Sequence, residues 1–372
     1  MESKHLGLKQ RLSALFAGAV ILGLTTGPLR AQDEQGGQGP FLPASVRVVS
    51  TVPENGDGNP YGVATVPRGF PQGGTVNPGD ILVSNFNNNS NLQGTGTTIV
   101  RIQSSGPASP FFQGTAPLGL TTALNILRAG FVLVGNFPSP DLSGNCQTAT
   151  AGSILVINQN GMLAGTITDP SINGPWDSAL IDSGNTAKFF VANGLSGTVV
   201  RLDLAVEAGG VTLKKATQIA SGYGHQCDAV TFVDAPTGLV FDPESGTLFV
   251  ASTLDNAVFA VSDAADRTHD GGKGRIIYKD PVHLHGALAM VAAPNGHLLV
   301  SNNDATGINP DPNQPSEIVE FTKGGRFVRE ISVDQAGGGS FGMNVATFGN
   351  TSRFAFVDDN VNALSVWTFR LQ

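Results

Sequence analysis

One unit recurs six times in this chain, and a recurrence of that length leaves few architectures open. Each unit begins with a small cluster ending in Gly, passes through an apolar strand and a turn, and enters a second apolar strand that meets Asn or Asp. "NPYGVATV" leads to "DILVSNF", "APLGLTTAL" to "FVLVGNF", and "GPWDSALI" to "KFFVANG". "APTGLVFDPESGTLFVAST", "LHGALAMVAAPNGHLLVSNN" and "SFGMNVATFGNTSRFAFVDD" run the same pattern together more compactly. A third strand follows each, as in "TTIVRIQ" or "NAVFAVSD". The short polar position after the second strand falls at Asn85, Asn136, Asn193, Ser252, Asn302 and Asp358, at intervals of 51, 57, 59, 50 and 56 residues. Several strands per unit at a period of about 40–50 residues, lengthened by loops, mark a propeller. The expected fold is all-β, a six-bladed β-propeller of four-stranded antiparallel blades.

Composition agrees. The 48 Gly and 22 Pro suit tight turns, while 40% hydrophobic residues against 13% charged ones exclude a disordered chain. The sixth unit ends on its third strand, "ALSVWTFRLQ", so one blade lacks an outer strand. "SVRVVSTV", residues 45–52, alternates like a strand and belongs to no unit of its own. Placed on the outside of blade six, it closes the ring and removes an open edge.

Residues 1–31 read as a signal peptide: basic residues, an apolar run over 12–24, then small residues ending at Ala31. An uncleaved anchor is the alternative, although the apolar run is short for a membrane span. Residues 32–44 read as a flexible leader, and residues 45–372 as one propeller domain. The protein is therefore expected to be exported, periplasmic or extracellular, with no membrane partner once the signal is removed. The remaining chain carries 17 Lys and Arg (21 less 4) against 28 Asp and Glu (29 less 1). A surface this acidic excludes nucleic acid as a partner, because phosphate binding needs a basic footprint.

The phrase "PTGLVFDPESGTLFVASTLDNAVFAV" resembles an NHL-type repeat, the blade of six-bladed propellers in secreted and signalling proteins. The resemblance covers nearly the whole mature chain. Blade three departs most, with Asp177 where others carry Gly. It implies fold rather than activity, since this architecture hosts binding modules, hydrolases and lyases alike.

In a propeller the loops after the second strand and the connections between blades emerge on one face, and three features collect there. The first is the residue before each inner-strand glycine: Tyr61, Leu118, Trp176, Thr237, His285 and Phe341. Rings at a channel mouth suit a small organic or sugar-like ligand, or else plug the channel. The second is the polar ring of Asn85, Asn136, Asn193, Asn302 and Asp358, which can bind a ligand or hold turns. The third is the group His225, His283 and His285. The two residues of "HLH" point the same way only if the backbone is extended. With Cys227 they offer nitrogen and sulfur donors for zinc or copper. The alternative fate of Cys227 is a disulfide with Cys146, as expected for a cysteine pair in an exported protein.

Long loops follow the second strand in blades one, two and five, and build a rim on that face. "GGSFG", residues 338–342, spells a hydrolase elbow but lacks the strand-turn-helix context. The main functional expectation is a binding or interaction module taking a small molecule, glycan or protein at the rimmed face. The alternative, implied by the resemblance, is a metal-assisted lyase or hydrolase. Lyases of this kind hold zinc with histidines. Similar lactonases hold a divalent cation such as calcium through Glu, Asn and Asp, and no inner-face Glu is evident here.

Overall fold

The computed structural model describes residues 47–302 and 314–371. The signal peptide, the leader and most of the long blade-five loop lie outside these residues. Within them the chain is all-β apart from one 3₁₀ turn, Cys146–Thr148. No helix among the described residues is long and apolar enough to cross a membrane.

After β1 (Arg47–Ser50), blade one is β2 (Gly58–Thr65), β3 (Ile81–Asn87), β4 (Thr98–Ile102) and β5 (Ser109–Gln113). Blade two is β6 (Leu120–Leu127), β7 (Phe131–Asn136), β8 (Ser153–Asn158) and β9 (Leu163–Ile167). Blade three is β10 (Pro175–Asp182), β11 (Thr186–Asn193), β12 (Thr198–Glu207) and β13 (Gly210–Ser221). A hairpin follows, β14 (Gln226–Asp228) and β15 (Phe232–Asp234). Blade four is β16 (Pro236–Asp242), β17 (Thr247–Ser252), β18 (Ala257–Val261) and β19 (Arg275–Tyr278). Blade five is β20 (Ala287–Ala292), β21 (His297–Asn302), β22 (Ser316–Thr322) and β23 (Phe327–Asp334). Blade six is β24 (Ser340–Phe348), β25 (Thr351–Asp358) and β26 (Ala363–Arg370), with β1 outermost. The expected six-bladed propeller is the observed fold. Its closure is also observed: β1 pairs antiparallel with β26, Arg47 opposite Val366 and Ser50 opposite Ala363.

The apolar pattern explains why the blades stack. A middle strand is sandwiched between neighbouring blades, so both of its faces are dry; all seven residues of β3, "ILVSNFN", are buried. In an outer strand such as β23, "FVREISVD", no residue is fully buried. Five clusters fill successive blade interfaces, as with Leu133, Phe189 and Val200 between blades two and three. A sixth lies at the seam of blades six and one, where Val49 of β1 meets Val100 and Val366, and it continues into the channel.

Each inner strand carries a bulge near its start, between Pro60 and Val63, Leu120 and Leu124, Pro175 and Asp177, Pro236 and Leu239, Ala287 and Met290, and Ser340 and Met343. Bulging bends the strands and lets them crowd around the axis. The crowding explains the glycines: a Cβ on Gly342 would stand 1.8 Å from the Tyr61 carbonyl oxygen.

Candidate functional site

The residue before each bulge pairs with the polar position of its blade: Pro60 with Asn85, Leu120 with Asn136, Pro175 with Asn193, Pro236 with Ser252, Ala287 with Asn302 and Ser340 with Asp358. This register corrects the expected ring of channel residues. The positions equivalent to Tyr61 are Thr121, Trp176, Thr237, Leu288 and Phe341. Leu118 and His285 precede the pairing, because in blades two and five the glycine of the repeat belongs to the incoming connection.

Tyr61, Trp176 and Phe341 do converge, as a packed plug and not an open mouth. Tyr61 stacks between Phe86 at 4.6 Å and Phe341 at 4.3 Å, and meets Trp176 edge-on at 5.5 Å. Phe137 and Phe232 complete the group. Phe232 arrives from the β14–β15 hairpin with φ +69°, a left-handed conformation costly for a bulky side chain. The hairpin is tethered: Cys227 is disulfide-bonded to Cys146 in the blade-two loop. With all these rings buried, no stacking surface is left for a ligand.

The polar ring is likewise structural. Asn85 Nδ2 donates to Thr51 O at 3.1 Å. Asn136 Oδ1 accepts from Gly119 N at 2.9 Å. Asn193 bridges Asn173 N and Ser171 O, and Asn302 bridges His285 N and His283 O. Each amide ties a second strand to the connection entering its own blade, so these four side chains hold loops and do not present themselves to a ligand. Asp358 caps its own turn, accepting from Asn360 N at 3.1 Å.

The histidines do not assemble. His283 and His285 lie in a turn, so their rings diverge. His283 stacks on Phe327 at 3.8 Å and pairs with Glu330 at 2.8 Å. His285 Nδ1 is 3.9 Å from Glu317. His225 is exposed beside Tyr223 O. Among the described residues no group of three His, Cys, Asp or Glu can hold a metal, and the bonded Cys227 offers no thiolate. The expected histidine metal centre is therefore not formed.

The loop-bearing face instead carries a polar pocket of about 560 Å³ at the seam of blades one and six, lined by Asn59, Asn87, Gln93, Val230, Asp359 and Asn362 among others. Three strands of chain build it. The start of β2 supplies Asn59, whose N–H donates to Asn362 Oδ1 at 2.6 Å. The end of β3 supplies Asn87 and the loop after it Gln93; Gln93 Nε2 donates to Val230 O at 2.7 Å, drawing the hairpin tip over the pocket. The β25–β26 turn supplies Asp359. Asn59, Asn91 and Asn362 all adopt positive φ, which Asn tolerates better than most residues.

Four oxygens in this pocket are enclosed and lack donors: Asn59 Oδ1, Asn87 Oδ1, Gln93 Oε1 and Asp359 Oδ1. Burial, helped by the charge of Asp358, pushes the Asp359 carboxyl up to about 8. Burial, with the charge of Asp334, also lifts Asp358 to about 6. The Tyr61 hydroxyl accepts from Asn59 Nδ2 at 3.5 Å, and burial plus Asp359 hold its pKa well above the usual phenol value. Sequence reasoning missed Asp359, Asn59, Asn87 and Gln93. The only signals for them were the length of the blade-one loop, "NNNSNLQGTGT", and the doubled acid in "VDDN".

No family model and no curated protein matches this chain. Solved structures do. A gluconolactonase from Xanthomonas campestris is 12% identical, with a TM-score of 0.54 over 86% of this chain and 88% of that one. Regucalcin from Agrobacterium tumefaciens, a calcium-binding protein, is 12% identical, with a TM-score of 0.50 over 87% and 95%. A luciferin-regenerating enzyme is 10% identical, also with a TM-score of 0.50 over 87% and 95%. At these identities the likeness is one of fold.

Proposed function

We propose that the seam pocket binds a small polyhydroxylated molecule and hydrolyses it as a cyclic ester, a sugar lactone. The observation that carries this reading is the set of three enclosed, donor-less amide oxygens beside one carboxyl whose own Oδ1 is also enclosed and whose pKa burial raises to about 8. Amide oxygens accept from sugar hydroxyls, and the half-buried Asp359 is the one titratable side chain lining the pocket. The gluconolactonase among the structural neighbours supports the substrate class.

In hydrolysis, water adds to the ester carbonyl and the ring C–O bond breaks. Asp359 gives its proton to the departing ring oxygen and regains one from the attacking water, leaving a hydroxy acid. With Asp359 ionised instead of serving as the acid, the oxygen-only donor set also fits a hard divalent cation such as calcium, held by Asn59, Asn87, Gln93 and Asp359. It does not fit zinc or copper, since the pocket offers no imidazole or thiolate. When bound, calcium would polarise the ester carbonyl.

Acid release from sugar lactones, followed by pH-stat with and without calcium, tests the reading. Turnover is expected to fall about 100-fold in Asp359→Asn. Binding without turnover would favour a second reading, a polyol- or glycan-binding module, which the lack of a second titratable group in the pocket supports. Failure of both would reject the site. Terbium luminescence sensitised by Tyr61, lost in Asn59→Ala, would report the cation directly. Export fits the bonded cysteine pair, since disulfides persist in oxidising compartments, and the compact phrase 236–261 supports an NHL-type origin for the blades.

A further inference from the structure

Below the aromatic plug the central channel is not filled. A cavity of about 360 Å³ runs between the inner strands, where Asn125, Leu180, Phe241, Val291 and Asn344 become half-exposed toward the face opposite the loops. Its wall is divided. Blades two and three present Asn125, Asp177 and Ser178 together with Leu124 and Leu180, whereas blades four to six are apolar but for Asn344, with Leu239, Met290 and Met343 among them.

Asp177 stands out within it. The equivalent positions of the other blades, from the register, are Gly62, Thr122, Gly238, Ala289 and Gly342, so it is the one acid in the ring. It is 7% exposed, and its Oδ1 accepts from Ser178 N at 2.6 Å. Among the described residues its Oδ2 has no hydrogen-bond partner and no cation pairs with it. The flanking strands β6 and β16 turn Thr122, Leu124 and Asn125, and Leu239, Val240 and Phe241, toward the cavity, none of them titratable. A lone carboxyl walled in this way is costly to ionise without a partner. Burial accordingly raises Asp177 to about 8.

We propose that this channel is a second ligand site, separate from the seam pocket, that takes a small organic ammonium ion, its charge on Asp177 and its hydrocarbon body against Leu239, Met290 and Met343. The apolar half of the wall selects an organic cation over a hydrated inorganic one. Because the acid is mostly protonated before binding and ionised after it, binding releases a proton.

Calorimetric titration of the intact protein with n-hexylamine, against 1-hexanol and calcium chloride as controls, tests this at pH 7. Repeating it in buffers of different ionisation enthalpy counts the protons. The expected result is one amine per chain, release of roughly one proton, and about tenfold or greater weakening in Asp177→Asn, with loop-face activity unchanged. Equal affinity for 1-hexanol, binding of calcium in place of the amine, or amine binding without proton release would each overturn the proposal. The comparison of ligands on the wild-type protein decides the matter even if the variant does not fold.

Discussion

Tyr61 and Phe341 stack at 4.3 Å with their ring planes 12° apart, joining the first inner strand to the last across the seam of the ring. Tyr61 in turn accepts from Asn59 of the seam pocket, so the contact links the closure of the propeller to the pocket's lining through one hydrogen bond.

Truncating that contact tests the coupling. Phe341→Ala is expected to cost about 3–5 kcal/mol, the usual range for a buried ring, measured by urea unfolding. Phe341→Leu should cost markedly less. Lactone turnover or polyol binding should fall in the alanine variant, because Tyr61 loses the partner that fixes its hydroxyl beside Asn59.

The Cys146–Cys227 bond spans 81 residues of sequence and anchors the hairpin that delivers Phe232. Replacing both cysteines by serine is expected to lower stability by about 2–4 kcal/mol. Hydrogen exchange should rise selectively over residues 224–235. If exchange rises uniformly, the bond is not the hairpin's anchor.

Asn302 holds the blade-five connection through His283 O and His285 N. Asn302→Ala should destabilise by about 1–3 kcal/mol through unpaired buried backbone groups. The ligand affinity of the seam pocket should be untouched. Loss of affinity at unchanged stability would restore this ring as a binding surface.

Asp177 and Asp359 both sit near 8, and Asp358 near 6, all above the ordinary carboxylate value. At these three positions the folded protein therefore holds more protons than the unfolded chain between roughly pH 4 and 8. Their contribution to stability is full below about pH 4, is lost as pH rises through 8, and is level beyond. Denaturation midpoints should fall from pH 5 to pH 9, and Asp177→Asn should flatten that slope. A midpoint that rises over the interval would contradict the assigned burial.

His283→Ala with His285→Ala should leave the metal content of the purified protein unchanged, because the two rings serve Phe327 and Glu330 on one side and the neighbourhood of Glu317 on the other. Loss of stoichiometric zinc or copper in the double variant would reinstate them as ligands.

The blades, their number and the placing of residues 47–50 outside blade six were legible in the chain itself. A strand buried on both faces is apolar but for polar residues that hydrogen-bond, and six such strands recur at nearly even spacing, so one-dimensional pattern carries the architecture. The lining of the channel was not legible in the same way. "LHGAL" and "PYGVA" look alike as text, yet Leu288, not His285, takes the place of Tyr61, because the hydrogen-bonded partner of Asn302 is Ala287. The same holds for the sites. Phe232 reaches the rings of Tyr61 and Trp176 only through a hairpin pinned by a distant cysteine, and Asp359 meets Asn59 only where the ring closes. Local sequence determines which strands form and how many stack. Which side chains share a pocket depends on bulge register and on contacts between segments far apart in the chain, and those exist only once the ring is folded.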